Sequence, residues 1–177
     1  MGIVQLPSKA ILFTGLIYNI SAHPQNIHRT LEEEFGSVCL TSRTFSFDET
    51  DYYREEMGAE LLREFIAFDA LISMESIPDI KLCTNRIEME LFSKNGRRFV
   101  NIDPGYLTHG KVILATTKNF QHRLYLGKGI YGEVTLRYRK TSFIPWEWTY
   151  KDYRRDESIE FFNKLRHIYR TKMKGFS

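Results

Sequence analysis

Between Arg98 and Lys140 the chain reads as successive strands with turns between them, and no other stretch constrains the fold as much. Residues Glu133 to Arg139 alternate polar and apolar at the two-residue period of a pleated strand. Strands so closely joined pair antiparallel, because a parallel connection needs a dozen residues or more to cross over. Parity fixes the register at Gly127-Lys128-Gly129. A three-residue loop sets Leu126 opposite Ile130, Tyr125 opposite Tyr131 and Arg123 opposite Glu133, whereas a slip of one residue would exchange the two faces. One face then carries Arg123, Tyr125, Tyr131, Glu133, Thr135, Arg137 and Arg139, and Val134, Leu136 and Tyr138 turn to the core. The polar face is either a solvated sheet surface, with a cross-strand ion pair worth at most ~1 kcal/mol, or a concave anion-binding surface.

The rest of the chain supplies helices and further strands. Lys9 to Ser21 reads as a buried first strand. Pro24 opens a helix whose Ile27, Leu31 and Phe35 recur every fourth residue until Gly36 stops it. Val38 to Phe47 alternates as a strand, followed by a polar turn at Asp48 to Asp51. Residues 59–72 read as an amphipathic helix on Leu61, Leu62, Phe65, Phe68 and Ile72, with a strand after a turn at Met57-Gly58 as the alternative. Ser76, Pro78 and Asp79 start a helix with Ile80, Cys83, Ile87 and Leu91 as its buried stripe and Asn95-Gly96 as its stop. A last helix, Glu157 to Lys172, buries Ile159, Phe162, Leu165, Ile168 and Tyr169. The expected fold class is α+β: a mainly antiparallel sheet packed with three or four helices, with closure into a barrel left open. At 177 residues, 42% hydrophobic and with no low-complexity linker, the chain is expected to fold as one domain, residues 1–177.

Composition removes several classes. Cys39 and Cys83 are the two cysteines, too few for a thiolate cluster or disulfide framework, which points to a reducing, cytoplasmic setting. The run Ile11 to Ile20 is broken by Thr14, Gly15, Tyr18 and Asn19 and is too short to span a bilayer, so no membrane partner is expected. A net charge of +3 falls short of a dedicated polyanion binder.

Familiar catalytic signatures fail on context. Gly127, Gly129 and Gly132 form a literal G-x-G-x-x-G, but the chain has no H-R-D or D-F-G, and a strand follows where a dinucleotide fingerprint needs a helix. There is no H-E-x-x-H, C-x-x-C or G-x-S-x-G. Asp103-Pro104-Gly105 has the chemistry of a turn, which would hold the Asp103 carboxylate rigid at a strand end as a metal ligand or base. On the helix before it, Lys81, Asn85 and Glu88 form a polar stripe that could wall a site. Arg137-Tyr138-Arg139-Lys140, followed by Trp146, Trp148, Tyr150 and Tyr153, interleaves bases and aromatics as single-stranded nucleic-acid surfaces do.

Several unusual strings carry a resemblance: Tyr52-Tyr53 with Glu56-Met57-Gly58, Lys81 with Thr84-Asn85, Val100 to Leu107, Leu114 to Lys118, His122-Arg123, Tyr125 to Tyr131, Glu133 to Leu136, and Trp148-Thr149-Tyr150 with Asp152-Tyr153. From about Lys9 to Tyr169 the chain resembles the prokaryotic domain of unknown function 4416 family. The resemblance implies a stand-alone cytoplasmic domain of this size and no established activity. Within the matching strings, Glu56, Lys81, Asn85, Asp103, Lys118, Arg123, Lys128 and Glu133 are polar residues that folding alone does not explain. If they converge, Lys81, Asn85, Lys118, Arg123, Lys128 and Glu133 would bind a phosphorylated small molecule or nucleotide, with or without a divalent cation for which Glu56 and Asp103 are candidates. No nucleophile or reaction is assigned. An RNA-binding accessory protein and an interaction domain without a small-molecule site are the alternatives.

Overall fold

A computed structural model describes residues 2–20, 22–48 and 53–175. In chain order the elements are β1 (Ala10–Asn19), α1 (Pro24–Phe35), β2 (Val38–Thr41), β3 (Phe45–Ser46), α2 (Arg54–Met57), β4 (Leu61–Ile72) and α3 (Ile77–Leu91). There follow β5 (Ser93–Lys94), β6 (Arg97–Arg98), β7 (Val100–Leu107), β8 (Lys111–Thr116), β9 (Leu124–Gly127), β10 (Ile130–Arg139), β11 (Ser142–Pro145), α4 (Lys151–Arg154) and α5 (Asp156–Lys174). The main sheet is antiparallel throughout and open, in the order β11-β10-β8-β7-β1-β4-β2, with β3 beside β4 and β9 beside β10. It is an α+β fold without barrel closure.

Helices cover both faces. Leu12, Leu16, Ile66, Phe68 and Ile102 meet Ile27 and Leu31 of α1 and Ile77 and Ile87 of α3. Ile11, Phe13, Phe65, Leu114 and Leu136 meet Phe161, Phe162, Leu165 and Tyr169 of α5. Burial on both faces also explains the correction at residues 59–72, which form strand β4 and not the helix favoured from periodicity. β4 lies inside the sheet between β1 and β2, so Leu61, Phe65 and Ala67 are buried on one side and Ile66 and Phe68 on the other. A strand buried on both sides loses the alternation that would identify it.

The Asp103-Pro104-Gly105 turn is a second correction: all three residues lie within β7. Ile102 and Pro104 share parity, and the Ile102 N–H and C=O face away from β1, where α3 side chains bond them. The Pro104 nitrogen therefore points to the same side, and β8 begins to pair only at Gly105↔Leu114. Proline is tolerated there because no ladder N–H is required. Gly105 marks the closest approach, since a Cβ on it would lie 2.3 Å from the Ile113 carbonyl oxygen and 2.5 Å from the Phe13 ring.

Smaller departures have local causes. The hairpin closes on two residues, Lys128 and Gly129, both at positive φ; Gly127 pairs with Ile130 and Leu126 is looped out, while Tyr125↔Tyr131 pair as expected. A bulge between Val134 and Leu136 then sends Leu136 and Tyr138 to the α5 side and Val134 to the opposite side. Val38 to Phe47 is split into β2 and β3, each paired with β4. On α3 the buried residues are Ile77, Pro78, Lys81, Thr84, Ile87 and Glu88, whereas Ile80 and Cys83 are half-buried and Leu91 is exposed. On α5 Ser158, Phe161, Phe162, Leu165 and Tyr169 are buried, while Ile159 and Ile168 of the expected stripe are half-buried against the same core. The turn expected at Asp48 to Asp51, beyond Asp48, and Tyr52 of the tyrosine pair lie outside the described residues.

Candidate functional site

The sheet parts at one point. β7 and β8 pair over Gly105–Leu107, after which β7 continues along β1 to Val100 and β8 along β10 to Thr116. Past the fork, the open side of β7 exposes backbone groups that a strand would otherwise bond. Side chains of α3 take that part: Lys81 Nζ donates to the Ile102 carbonyl at 3.0 Å, and the Ile102 N–H donates to Glu88 Oε1 at 2.7 Å. The fork opens into a cleft of about 670 Å³ lined by residues of α3, β7, the end of β8 and the Trp148 to Tyr153 segment.

Arg63 forms the floor. It projects from β4 across the β1 backbone at Gly15, where a Cβ would stand 2.7 Å from Arg63 Nη2. Its guanidinium carbon sits 4.4 Å from the Phe65 ring centroid and 5.1 Å from that of Tyr153, and Nε lies 2.9 Å from Asp152 Oδ2. Arg63 is 1% exposed, yet its Nη1 has no hydrogen-bond partner among the described residues, and neither has the Tyr153 hydroxyl. Burial works against the Arg63 charge, but Asp152, Tyr153 and Asp103 hold its pKa above the ordinary value. Burial likewise pushes the Asp152 carboxyl up against the pull of Arg63, and it pushes the Tyr153 hydroxyl up strongly. Asp103 behaves oppositely. Burial would raise it, but Lys81 at 3.1 Å, Arg63, and the Asn101 amide donating at 2.7 Å together hold it below the usual carboxylate range.

The walls are braced by two charge networks. Arg98 donates to Glu56 through Nε (2.7 Å) and Nη2 (2.8 Å) and also bonds Glu88, tying α2 to α3 behind the cleft. On the other side, buried Glu133 accepts from Arg123 Nε at 2.8 Å and faces His122 Nε2 at 3.1 Å. Arg123 in turn donates Nη1 to the Lys118 carbonyl (2.9 Å) and Nη2 to the Tyr150 hydroxyl (2.7 Å), and both of those residues line the cleft.

The residues expected from the sequence are therefore distributed unequally. Lys81, Asn85, Asp103 and Lys118 line the cleft; Arg123, Glu133 and Glu56 stand one layer behind it. Lys128 lies away from it, exposed and paired with Asp79 at 2.5 Å. Glu56 and Asp103 engage Arg98 and Lys81, and no group of three metal-ligating His, Cys, Asp or Glu side chains occurs among the described residues. Arg63 and Asp152 were missed as site residues. An arginine at strand parity within an apolar run, between Leu61 and Phe65, was the available signal, and it is invisible if the segment is taken as a helix.

The family model described as Domain of unknown function (DUF4416) matches residues 8–169, so the chain belongs to that family. No curated protein and no solved structure matches the chain. No helix among the described residues is long and apolar enough to cross a membrane.

Proposed function

We propose that this member of the DUF4416 family binds a phosphorylated small molecule, a nucleotide above all, in the cleft at the β7/β8 fork. The observation that carries the reading is Arg63: a buried guanidinium lining the cleft with a donor nitrogen unmatched among the described residues, as is the hydroxyl of Tyr153, whose ring stands 5.1 Å from the guanidinium carbon. Buried donors without acceptors are costly, and an oxyanion supplies acceptors to both. Cations predominate around it, since Arg63, Lys81, Arg98, Lys118 and Lys151 line the cleft against Asp103 and Asp152. Among the lining residues, the aromatic side chains of Phe47, Tyr53 and Tyr150 suit a planar ring, and the volume falls within the 300–1,000 Å³ range common for small-molecule sites. A reducing, cytoplasmic setting goes with the reading, in agreement with the free thiols of Cys39 and Cys83.

A thermal-shift screen with nucleotides and sugar phosphates tests it. Ligand at a hundred times its dissociation constant adds about 2.7 kcal/mol, a rise of several degrees in Tm. Replacing Arg63 by methionine together with Asp152 by leucine removes the charge pair as a unit, and the shift should vanish while the unliganded protein still unfolds cooperatively. No shift with any phosphorylated compound, or an undiminished shift in the double variant, rejects the proposal.

A further inference from the structure

Beyond the mouth of the cleft lies an aromatic shelf that a single nucleotide would not use. Trp148 walls the cleft on one side and, on the other, a shallow depression of about 600 Å³ formed with Phe120, Gln121, His122 and Glu147. A column of stacked groups supports it: Arg137 lies 3.7 Å over Trp146, Trp146 stacks on Trp148 at 5.0 Å, and Trp148 on His122 at 5.4 Å. Phe120 caps the column at 5.3 Å from His122 and is 58% exposed. Sheet register extends the same surface. Thr116, in the cleft, pairs with Tyr131, which pairs with Tyr125, so the three stand abreast on one face. Tyr125 is 62% exposed, and Tyr150, 47% exposed, stands at the cleft rim.

Resting on the reading of the cleft given above, we propose that the ligand is the phosphorylated end of a short single-stranded nucleic acid, its terminal nucleotide in the cleft and the following bases along the shelf. Two observations favour a strand end. Arg63, Lys81 and Asn101 line the cleft and are themselves buried, so protein backs it where they stand and a chain enters it past the exposed residues Lys118, Tyr150 and Lys151. The outward path offers ring surfaces beside Lys118 and Lys151, which is the pairing of cations and stacking platforms that single strands require. Exposed rings read no sequence, so binding is expected to depend on length and on the terminal phosphate and little on base identity.

The chain's two tryptophans, Trp146 and Trp148, both lie in this region and report binding directly. Quenching of their fluorescence is titrated with a mononucleotide and with ribo- and deoxy-tetranucleotides bearing a 5′-phosphate, a 3′-phosphate or neither. One phosphorylated tetranucleotide should bind about tenfold or more tighter than the mononucleotide, and Phe120→Ala and Tyr125→Ala should each reduce that gain severalfold without altering mononucleotide affinity. Equal affinities for the two lengths, or a gain that survives both alanine variants, overturns the strand-end proposal and leaves the cleft reading intact. Failure of every phosphorylated compound, mononucleotide included, overturns both.

Discussion

Two buried charge clusters flank the same cleft, and they differ in completeness. Around Glu88 every group has a partner: Glu88 accepts from the Ile102 N–H and from Arg98, Lys81 donates to the Ile102 carbonyl and to Asp103, and Arg98 is shared with Glu56. Around Arg63 the accounting stays open, because Nη1 and the Tyr153 hydroxyl are buried without acceptors among the described residues. Equal burial therefore carries two meanings. The Glu88 cluster stands in for a missing strand and maintains the fork in the sheet. The Arg63 cluster is held ready by Gly15 and Asp152 and gains its remaining partner from outside.

The comparison breaks most sharply at Glu88. Glu88→Ala removes the acceptor for a buried backbone N–H and leaves Arg98 with Glu56 alone, so a loss of about 3–5 kcal/mol is expected, read as a fall in the urea midpoint. A loss under about 1 kcal/mol would mean the cluster is not what holds the open side of β7. At Arg63 the single substitution Arg63→Met strands Asp152, and a cost of similar size is expected, reduced to the extent that Asp152, already pushed up by burial, takes a proton. Adding Asp152→Leu should recover most of it, bringing stability to within about 1–2 kcal/mol of the parent, because a buried ion pair replaced by apolar side chains of similar volume is often neutral or better. Recovery of stability without recovery of nucleotide-induced stabilisation would separate the roles of the two clusters. A parallel double replacement of Glu88 and Arg98 should not recover, since the Ile102 N–H remains unpaired.

Why part of this was legible in the sequence and part was not follows from where each signal originates. α1 and α5 each bury one stripe and leave the opposite face wet, so Ile27, Leu31, Phe162 and Leu165 announced them. β4 and β7 lie inside a sheet covered on both faces, where strand periodicity disappears and a proline loses its usual meaning. α3 misled in a subtler way. Lys81 and Glu88 are polar and buried because they bond the Ile102 backbone, and no hydropathy pattern assigns a lysine to a core. Of the polar stripe Lys81, Asn85 and Glu88, which the sequence offers as a site wall, Lys81 and Asn85 line the cleft and Glu88 does not. Lys128 stands with them as a polar residue of the strings that carry the family resemblance, but the hairpin turn carries it away to Asp79.

Where the two strands separate is set by the spacing at Gly105. Gly105→Ala would drive a methyl group against the Ile113 carbonyl and the Phe13 ring, neither of which yields cheaply, so about 1–3 kcal/mol of destabilisation is expected together with weakened nucleotide binding. Gly15→Ala makes the useful contrast. There the obstruction is the far end of the Arg63 side chain, which can shift by a fraction of an ångström without leaving Asp152, so less stability is lost while the guanidinium moves off the position that an anion would meet. If Gly15→Ala bound nucleotide normally, the position assigned to Arg63 as the anion's anchor would be wrong.

The smallest effect belongs to another buried carboxylate, Glu64, which lies on the opposite face of β4 from Arg63 and shows what a completed acid looks like when its partner titrates. His28 Nε2 sits 2.8 Å from Glu64 Oε2, and that hydrogen bond, against the opposing effect of burial, raises the His28 pKa above its ordinary 6.5. A raised folded-state value means that protonation is favoured by folding. The pair's contribution is thus present in full below about pH 6.5 and disappears as pH rises through the higher folded value. Stability at pH 5.5 should exceed that at pH 8.5 by at most about 1 kcal/mol from this source, and His28→Gln should flatten the difference. Since Arg63 stays charged across that interval, nucleotide binding by the His28→Gln variant should match the parent at both pH values; a change in affinity would show that the two faces of β4 are coupled.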